Sequence, residues 1–354
     1  MRLILFLLAS SNEVRRWEPN VGVILQPTSQ KSMKAIVYEK YGPPEVLKLK
    51  EIAKPSPRDN EVLIRIRAAS ITSGDCELRI FKFPLLFWLP LRLAFGIFRP
   101  RIKILGQELS GEIEAVGANV KNFKPGNQVF CPSKIFRAYA QYIFLPGTDA
   151  IVIKPAHLSF GKAAAVPTGG LNALYFIRQA KIKSGEKVLV NGAAGNIGTF
   201  AVQLAKYYGA EVTGVDSAAK LAALRMIGAD HVIDYTKENF TQNGKKYDVI
   251  FDVTTKVSFI GCLRSLNKNG RFVIATPALW DMILGLCFSV IAKKRVVTGI
   301  APYKKADLDF LKELIAQGKI KSVIDRHYSF ENIAEGHRYV ENGQKIGNVV
   351  IAVE

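Results

Sequence analysis

Cysteine is scarce in this chain: Cys76, Cys131, Cys262 and Cys287 stand far apart, and no C-x-x-C pair occurs. That spacing excludes a disulfide framework and a zinc-ribbon lobe, and a reducing cytoplasm is the simpler compartment to expect. Histidine is as rare, and His157, His231, His327 and His337 show no metal-ligand spacing. Acidic residues are outnumbered, 30 Asp and Glu against 49 Lys and Arg, which leaves a formal charge of +19. Such an excess can attract nucleic acid, an acidic membrane surface or phosphorylated cofactors. No helix-turn-helix, zinc-finger or RNA-binding aromatic motif accompanies it, so nucleic acid is not the expected partner. Internal repeats and low-complexity tracts are missing too.

What is present reads as globular. The 354 residues suffice for two domains with substantial cores, and 49% hydrophobic with 22% charged residues argues against disorder. Residues 1–32 read as an extension outside the fold. Arg2 and the apolar run from Leu3 to Ala9 resemble a signal-peptide core but are far too short to span a bilayer, and Met33 directly precedes the first strand-like run.

One stretch organises the rest. Lys187 to Val190 is an apolar, β-branched run suited to a buried parallel strand, and apolar residues recur at helical spacing after Gly198. Between them lie Gly192, Gly195 and Gly198, which permit a tight turn, close backbone approach to a ligand and close packing of helix on strand. The N–H groups and positive dipole end of such a helix suit a pyrophosphate. A second strand, Glu211 to Val215, ends at Asp216, eighteen positions beyond Gly198. A dinucleotide fold places the acid that binds the adenosine ribose at this distance.

Upstream, Ala35 to Tyr38, Glu61 to Ala68 and Leu109 to Val116 read as strands punctuated by proline and glycine, which implies a mostly β unit. A helix is expected over 163–179. Downstream, strands and helices alternate: helix 218–227, strands 231–233 and 247–252, a helix near 259–266, strand 271–275, helices 306–317 and 333–342, and a last strand 348–353. This alternation predicts an α/β fold with a doubly wound parallel sheet.

From Met33 onward the chain resembles a medium-chain dehydrogenase/reductase of the zinc-independent quinone oxidoreductase (zeta-crystallin-like) branch. The resemblance rests on residues 33–42 (MKAIVYEKYG), 68–75 (AASITSGD), 105–117 (LGQELSGEIEAVG), 123–130 (FKPGNQVF), 163–168 (AAAVPT), 191–198 (NGAAGNIG), 228–235 (GADHVIDY) and 347–350 (GNVV). It implies a GroES-like N-terminal domain over 33–156, a Rossmann domain over 157–301, and a segment 302–354 that returns to the first domain. It also implies an NAD(P)H cofactor and a homodimer. Where zinc alcohol dehydrogenases carry a cysteine ligand this chain has Thr72 ahead of Asp75, and for their Gly-His-Glu it has Gly106, Gln107 and Glu108, so no catalytic zinc is expected.

Without a Lewis acid, hydride transfer to an electron-poor carbon of a quinone or α,β-unsaturated carbonyl is the natural chemistry. Carried over by position, Gly192, Gly195, Asn196, Ile197 and Gly198 fall at the pyrophosphate. Asp216, Ser217, Lys220 and Tyr235 surround the adenosine, and Thr168 lies near the nicotinamide. Thr168 read alone could equally be a helix cap, and Tyr235 a packed aromatic. No residue stands out as an obligate general acid; water or the Thr72 hydroxyl could protonate the product. Asp216 favours NAD(H), whereas Lys220 pulls towards NADP(H), and the local carboxylate tips the reading slightly to NAD(H).

Two apolar stretches remain. Residues 81–98 are interrupted by Pro84, Pro90 and Arg92, and six basic residues with no acid lie between Arg79 and Lys103. Residues 279–292 end in Lys293, Lys294 and Arg295. The plainer reading is a substrate-cleft lining or dimer contact, the sharper one a peripheral membrane contact that draws in a lipophilic substrate. Two alternatives to the reductase stay open: a zinc-free alcohol dehydrogenase, and a non-catalytic nucleotide-binding protein with a membrane or RNA role.

Overall fold

The structure, a computed structural model, describes residues 32–83, 85–254, 256–275 and 294–353. Residues 1–31 and the apolar stretch 279–292 lie outside the described residues.

The first unit opens with β1 (Ser32–Val37), paired antiparallel with β2 (Lys48–Ala53). It continues through β3 (Glu61–Ile71), the helices α1 (Ser73–Ile80) and α2 (Leu85–Phe95), and β4 (Glu108–Val116). Strands β5 (Gln128–Pro132), β6 (Tyr142–Pro146) and β7 (Val152–Ile153) and the short helix α3 (Phe160–Ala164) follow. β3 is the spine: β4 pairs antiparallel along it, and so does β6. Val62, Ile64 and Ile66 are at most 1% exposed, as their alternation predicted. The helices α1 and α2 were not anticipated in a unit read as mostly β.

In place of one helix over 163–179 there are two, because α4 (Pro167–Ala180) begins anew at Pro167. Proline lacks the N–H that a continuing helix would need there, yet fits a first turn. α4 leads into β8 (Lys187–Asn191), α5 (Asn196–Tyr207), β9 (Glu211–Asp216) and α6 (Leu221–Met226). Then come β10 (His231–Asp234), β11 (Tyr247–Asp252), α7 (Phe259–Arg264), β12 (Leu266–Ile274), β13 (Arg295–Val297) and α8 (Lys305–Ala316). The six strands form one parallel sheet in the order β10-β9-β8-β11-β12-β13. This is the doubly wound Rossmann order, which reverses between β8 and β11 and opens a crevice at the strands' carboxyl ends. Leu189, Val215, Ile250 and Phe272 fill its core.

The chain then returns to the first unit as β14 (Ile324–Ser329), α9 (Ile333–Glu341) and β15 (Asn348–Ala352), with β15 antiparallel to β3. α9 buries Ile333, Gly336, His337 and Val340 on one face. A Cβ at Gly336 would lie 2.4 Å from Ile71 Cδ1, so a larger residue there would force the Ile71 side chain to shift. Two compact units result, residues 168–323 with 345–347 in one and the remainder in the other. Residues 302–323, including α8, thus belong to the Rossmann unit.

Candidate cofactor site

In the Rossmann unit the turn from β8 into α5 is tied to the neighbouring strand: the N–H groups of Gly192 and Ala193 both donate to Val215 O, at 3.0 and 3.1 Å. Gly192 sits at φ +76°, where a β-carbon is strained. Gly198 is required for a different reason, since its Cβ would fall 2.2 Å from Gly192 O and 2.6 Å from Ala193 O. Gly195 caps α5 without a side chain, and a Cβ there would meet only Gly192 O, at 3.4 Å. Space therefore stands open beside Gly195, and the helix start has no side-chain cap for its first N–H groups. Ile197 lies half-buried at this helix start.

Asn196 joins the loop to α4. Its Nδ2 donates to Thr168 Oγ1 at 3.4 Å, while its Oδ1 is buried without a hydrogen-bond partner. A Cβ on Gly169 would stand 1.6 Å from that oxygen, so glycine is needed for the amide to sit there. An orphaned buried acceptor beside an open glycine cradle is what a bound donor group would complete. Thr168 is itself held near Asn172, whose Nδ2 donates to Thr168 O at 2.7 Å and to Tyr303 Oη at 2.9 Å.

Asp216, 7% exposed at the end of β9, is engaged at both oxygens. Oδ2 accepts from Ala194 N at 3.0 Å, Oδ1 accepts from Ser217 N at 2.9 Å, and Lys220 Nζ lies 3.3 Å from Oδ1. The acid thus clamps the glycine loop to the end of β9. Tyr235 follows β10, donates its N–H to Asp216 O at 3.2 Å and keeps 61% of its surface exposed, so it is not a packed core aromatic. The structure brings Thr168, the glycine loop, Asp216, Ser217, Lys220 and Tyr235 to one end of the sheet.

Sequence reasoning passed over Asn191, Asp252 and Thr254. Asn191 and Asp252 are register partners at the ends of β8 and β11. Asn191 Nδ2 donates to Asp252 Oδ1 at 2.8 Å and to Thr254 Oγ1 at 3.1 Å, and Thr254 Cγ2 would meet a Cβ on Gly192 at 2.7 Å. Asn191 and Asp252 each close an apolar run with a polar residue, which was the available signal.

Thr72 lies in the first unit, 8% exposed, as the N-cap of α1 in a capping box with Asp75. Its Oγ1 donates to Asp75 Oδ2 at 2.7 Å and accepts from Asp75 N at 3.1 Å and from Gln107 Nε2 at 3.0 Å. The candidate proton donor is here a saturated helix cap, because its hydrogen is committed to a carboxylate. Burial raises the Asp75 carboxyl above its usual range, opposed by the hydrogen bonds from Thr72 and Gly106. Glu108, fully buried, accepts from the Ser70 hydroxyl. A zinc ion does not fit this donor set, in which a hydroxyl and an amide replace thiolate and imidazole and Thr72 Oγ1 is already spent on Asp75 and Gln107 Nε2. Among the described residues no group of three or more His, Cys, Asp or Glu is placed to hold a metal.

His337 is fully buried in the first unit, with Nδ1 3.3 Å from Cys76 Sγ, and burial followed by the Arg79 charge pushes it down to about 3. Cys131 and Cys262 are likewise buried free thiols. His231, by contrast, pairs at the surface with Glu211.

A GroES-like unit and a Rossmann unit with a glycine cradle in one chain define a nicotinamide-dependent oxidoreductase architecture. The family model described as alcohol dehydrogenase GroES-like domain matches residues 58–155, and that described as zinc-binding dehydrogenase matches residues 227–351. The 2-methylene-furan-3-one reductase of Solanum lycopersicum is 32% identical over 90% of this chain and 79% of its own. The chloroplastic NADPH-dependent alkenal/one oxidoreductase of Arabidopsis thaliana is 30% identical over 94% and 82%. Among solved structures, the quinone oxidoreductase from Coxiella burnetii superposes with a TM-score of 0.80 at 29% identity, over 92% of this chain and all of that one. The chain belongs to the medium-chain dehydrogenase/reductase superfamily, in its quinone oxidoreductase branch, and its cofactor is a nicotinamide dinucleotide.

Proposed function

We propose that the protein reduces a quinone or an α,β-unsaturated carbonyl with NAD(P)H and without catalytic zinc. The observation that carries this reading is the open glycine cradle with the orphaned Asn196 Oδ1 at its rim. When bound there, the cofactor supplies the hydride. The backbone at 195–198 holds the pyrophosphate, Thr168 and Asn196 orient the nicotinamide end, and Asp216, Ser217, Lys220 and Tyr235 contact the adenosine. Because the Thr72 hydrogen goes to Asp75, water delivers the product's proton. The substrate class follows from zinc-free chemistry and from the names of the relatives: a methylene-furanone, an alkenal or alkenone and a quinone all place an electron-poor carbon in conjugation with a carbonyl.

Between the two coenzymes the local carboxylate favours NADH. Asp216 accepts from a free ribose diol and repels a 2′-phosphate, but Lys220 on the same carboxylate blunts that repulsion. The test is oxidation of NADH and NADPH by the purified chain against 1,4-benzoquinone, but-3-en-2-one and a plain alcohol with NAD⁺. Turnover of the alcohol alone would transfer the reading to a zinc-free alcohol dehydrogenase. The resemblance also points to a homodimer, which sedimentation velocity checks.

A further inference from the structure

One short segment of the first unit sends apolar side chains outward. On α2, Leu91 and Phe95 turn to the core at 1% and 3% exposure, whereas Trp88, Leu89 and Leu93 stand 38%, 58% and 53% exposed. Beyond the helix come Ile97 at 45% and Phe98 at 90%. Monomers seldom leave so many large apolar groups exposed within eleven consecutive residues.

Their exposure is not fraying, because the turn that carries them is pinned from several sides. Tyr41 Oη lies 3.0 Å from both Phe95 O and Gly96 O, and can donate to either. Gly96 N donates to Arg92 O at 2.8 Å, and Arg101 N to Phe95 O at 2.7 Å. Gly96, at φ +115°, admits no side chain, since a Cβ would fall 1.9 Å from Arg99 O. The Arg92 guanidinium lies over the rings of Tyr41, Phe81 and Trp88, and donates to Ile97 O at 3.0 Å. Trp88 also meets Phe81 edge to face.

Charge decides what covers this face. Lys82, Arg99 and Arg101, which flank this segment in sequence, are exposed, Lys103 is half-buried, and no acid occurs between Arg79 and Lys103. A second copy docking face to face across a two-fold axis would bring these cations together. An anionic lipid surface answers both features at once, with aromatic and aliphatic groups entering the headgroup layer and Lys and Arg facing phosphates.

We infer that Trp88, Leu89, Leu93, Ile97 and Phe98, flanked in sequence by Lys82, Arg99 and Arg101, form a surface that docks the protein on a bilayer bearing anionic headgroups. This goes beyond the reductase reading and stands or falls without it. The surface would place the enzyme where lipophilic substrates partition.

The experiment is co-sedimentation of the full chain with phosphatidylcholine vesicles and with phosphatidylcholine vesicles containing roughly 30% phosphatidylserine, at low and high salt. The bound fraction should be about tenfold higher on the anionic vesicles and fall severalfold in about 0.5 M salt. The double variant Leu93→Ser/Phe98→Ser should lose about tenfold in vesicle binding yet keep wild-type turnover of water-soluble benzoquinone. A second readout needs no change to the surface: with Trp17 and Trp280 replaced by Phe, Trp88 fluorescence should be quenched by brominated lipid in the anionic vesicles. No binding to anionic vesicles, binding indifferent to the double variant, or unquenched Trp88 would overturn the inference. So would loss of benzoquinone turnover in the folded variant, which would make the face a substrate lining. Self-association that the variant abolishes would make it a contact between copies, and would overturn it equally.

Discussion

Replacing Gly195 with alanine separates cofactor binding from folding. Gly195 adopts φ −76° and ψ 175°, a backbone that alanine takes without strain, and the added methyl would meet only Gly192 O at 3.4 Å. Folding stability should therefore stay within about 0.5 kcal/mol of wild type, or rise slightly as the unfolded chain loses freedom. A pyrophosphate held by N–H groups at roughly 2.9 Å leaves no space for a carbon that needs roughly 3.5 Å. The ligand must back away and give up at least one charge-assisted hydrogen bond, of about 1.5–3 kcal/mol, which weakens NADH binding by roughly 10- to 100-fold. Gly198→Ala is the counterpart. Its methyl would strike Gly192 O at 2.2 Å and Ala193 O at 2.6 Å, both backbone, so it should destabilise the fold itself by about 1–3 kcal/mol. Calorimetric titration with NADH and a urea melt read the two effects separately. If Gly195→Ala bound NADH as tightly as wild type, the cradle would not be the cofactor site.

Asp216→Asn removes the charge that opposes a 2′-phosphate while keeping an acceptor for the loop. The ratio of NADPH to NADH affinity should rise by about tenfold, and an unchanged ratio would deny Asp216 a place at the ribose. Thr72→Val deletes the cap of α1 and strands Gln107 Nε2; a loss of roughly 1–2 kcal/mol is expected in denaturant titrations, with Thr72→Ser near wild type and turnover of the folded variants within about twofold. His337 supplies a pH signature. Its folded value, about 3, lies below the ordinary 6.5, so between these limits the unfolded chain binds more protons and stability rises with pH. Taken from pH 8 to pH 5, wild type should lose roughly 2 kcal/mol more than His337→Gln in urea unfolding, and equal losses would contradict the buried neutral imidazole.

Local chemistry with a fixed period was legible before the structure. Lys187 to Val190, the three glycines and Asp216 together announced the βαβ turn, because the steric demand on each glycine and the length of the helix fix their spacing. Five of the six parallel strands of the Rossmann sheet followed from their apolar runs, whereas β13, only three residues long, had no such run to announce it. Less legible was whatever depends on partners distant in sequence. The Asn191–Asp252–Thr254 cluster spans more than sixty residues, and Asn172–Tyr303 more than a hundred. The fate of the Thr72 hydrogen needed the position of Asp75 and of Gln107. α2 was hidden by Pro90, which lowers helix propensity but sits inside the helix all the same. Residues 81–98 were legible as apolar and basic, yet which of their side chains face outward was not.

The most direct test is a titration of the purified protein with NADH and NADPH, followed by oxidation of the bound cofactor on adding a quinone or an enone. Saturable binding of NADH, weaker binding of NADPH, and turnover by either acceptor are predicted. Binding of neither cofactor under conditions where the chain is folded would contradict the assignment of the glycine cradle and every residue role built upon it.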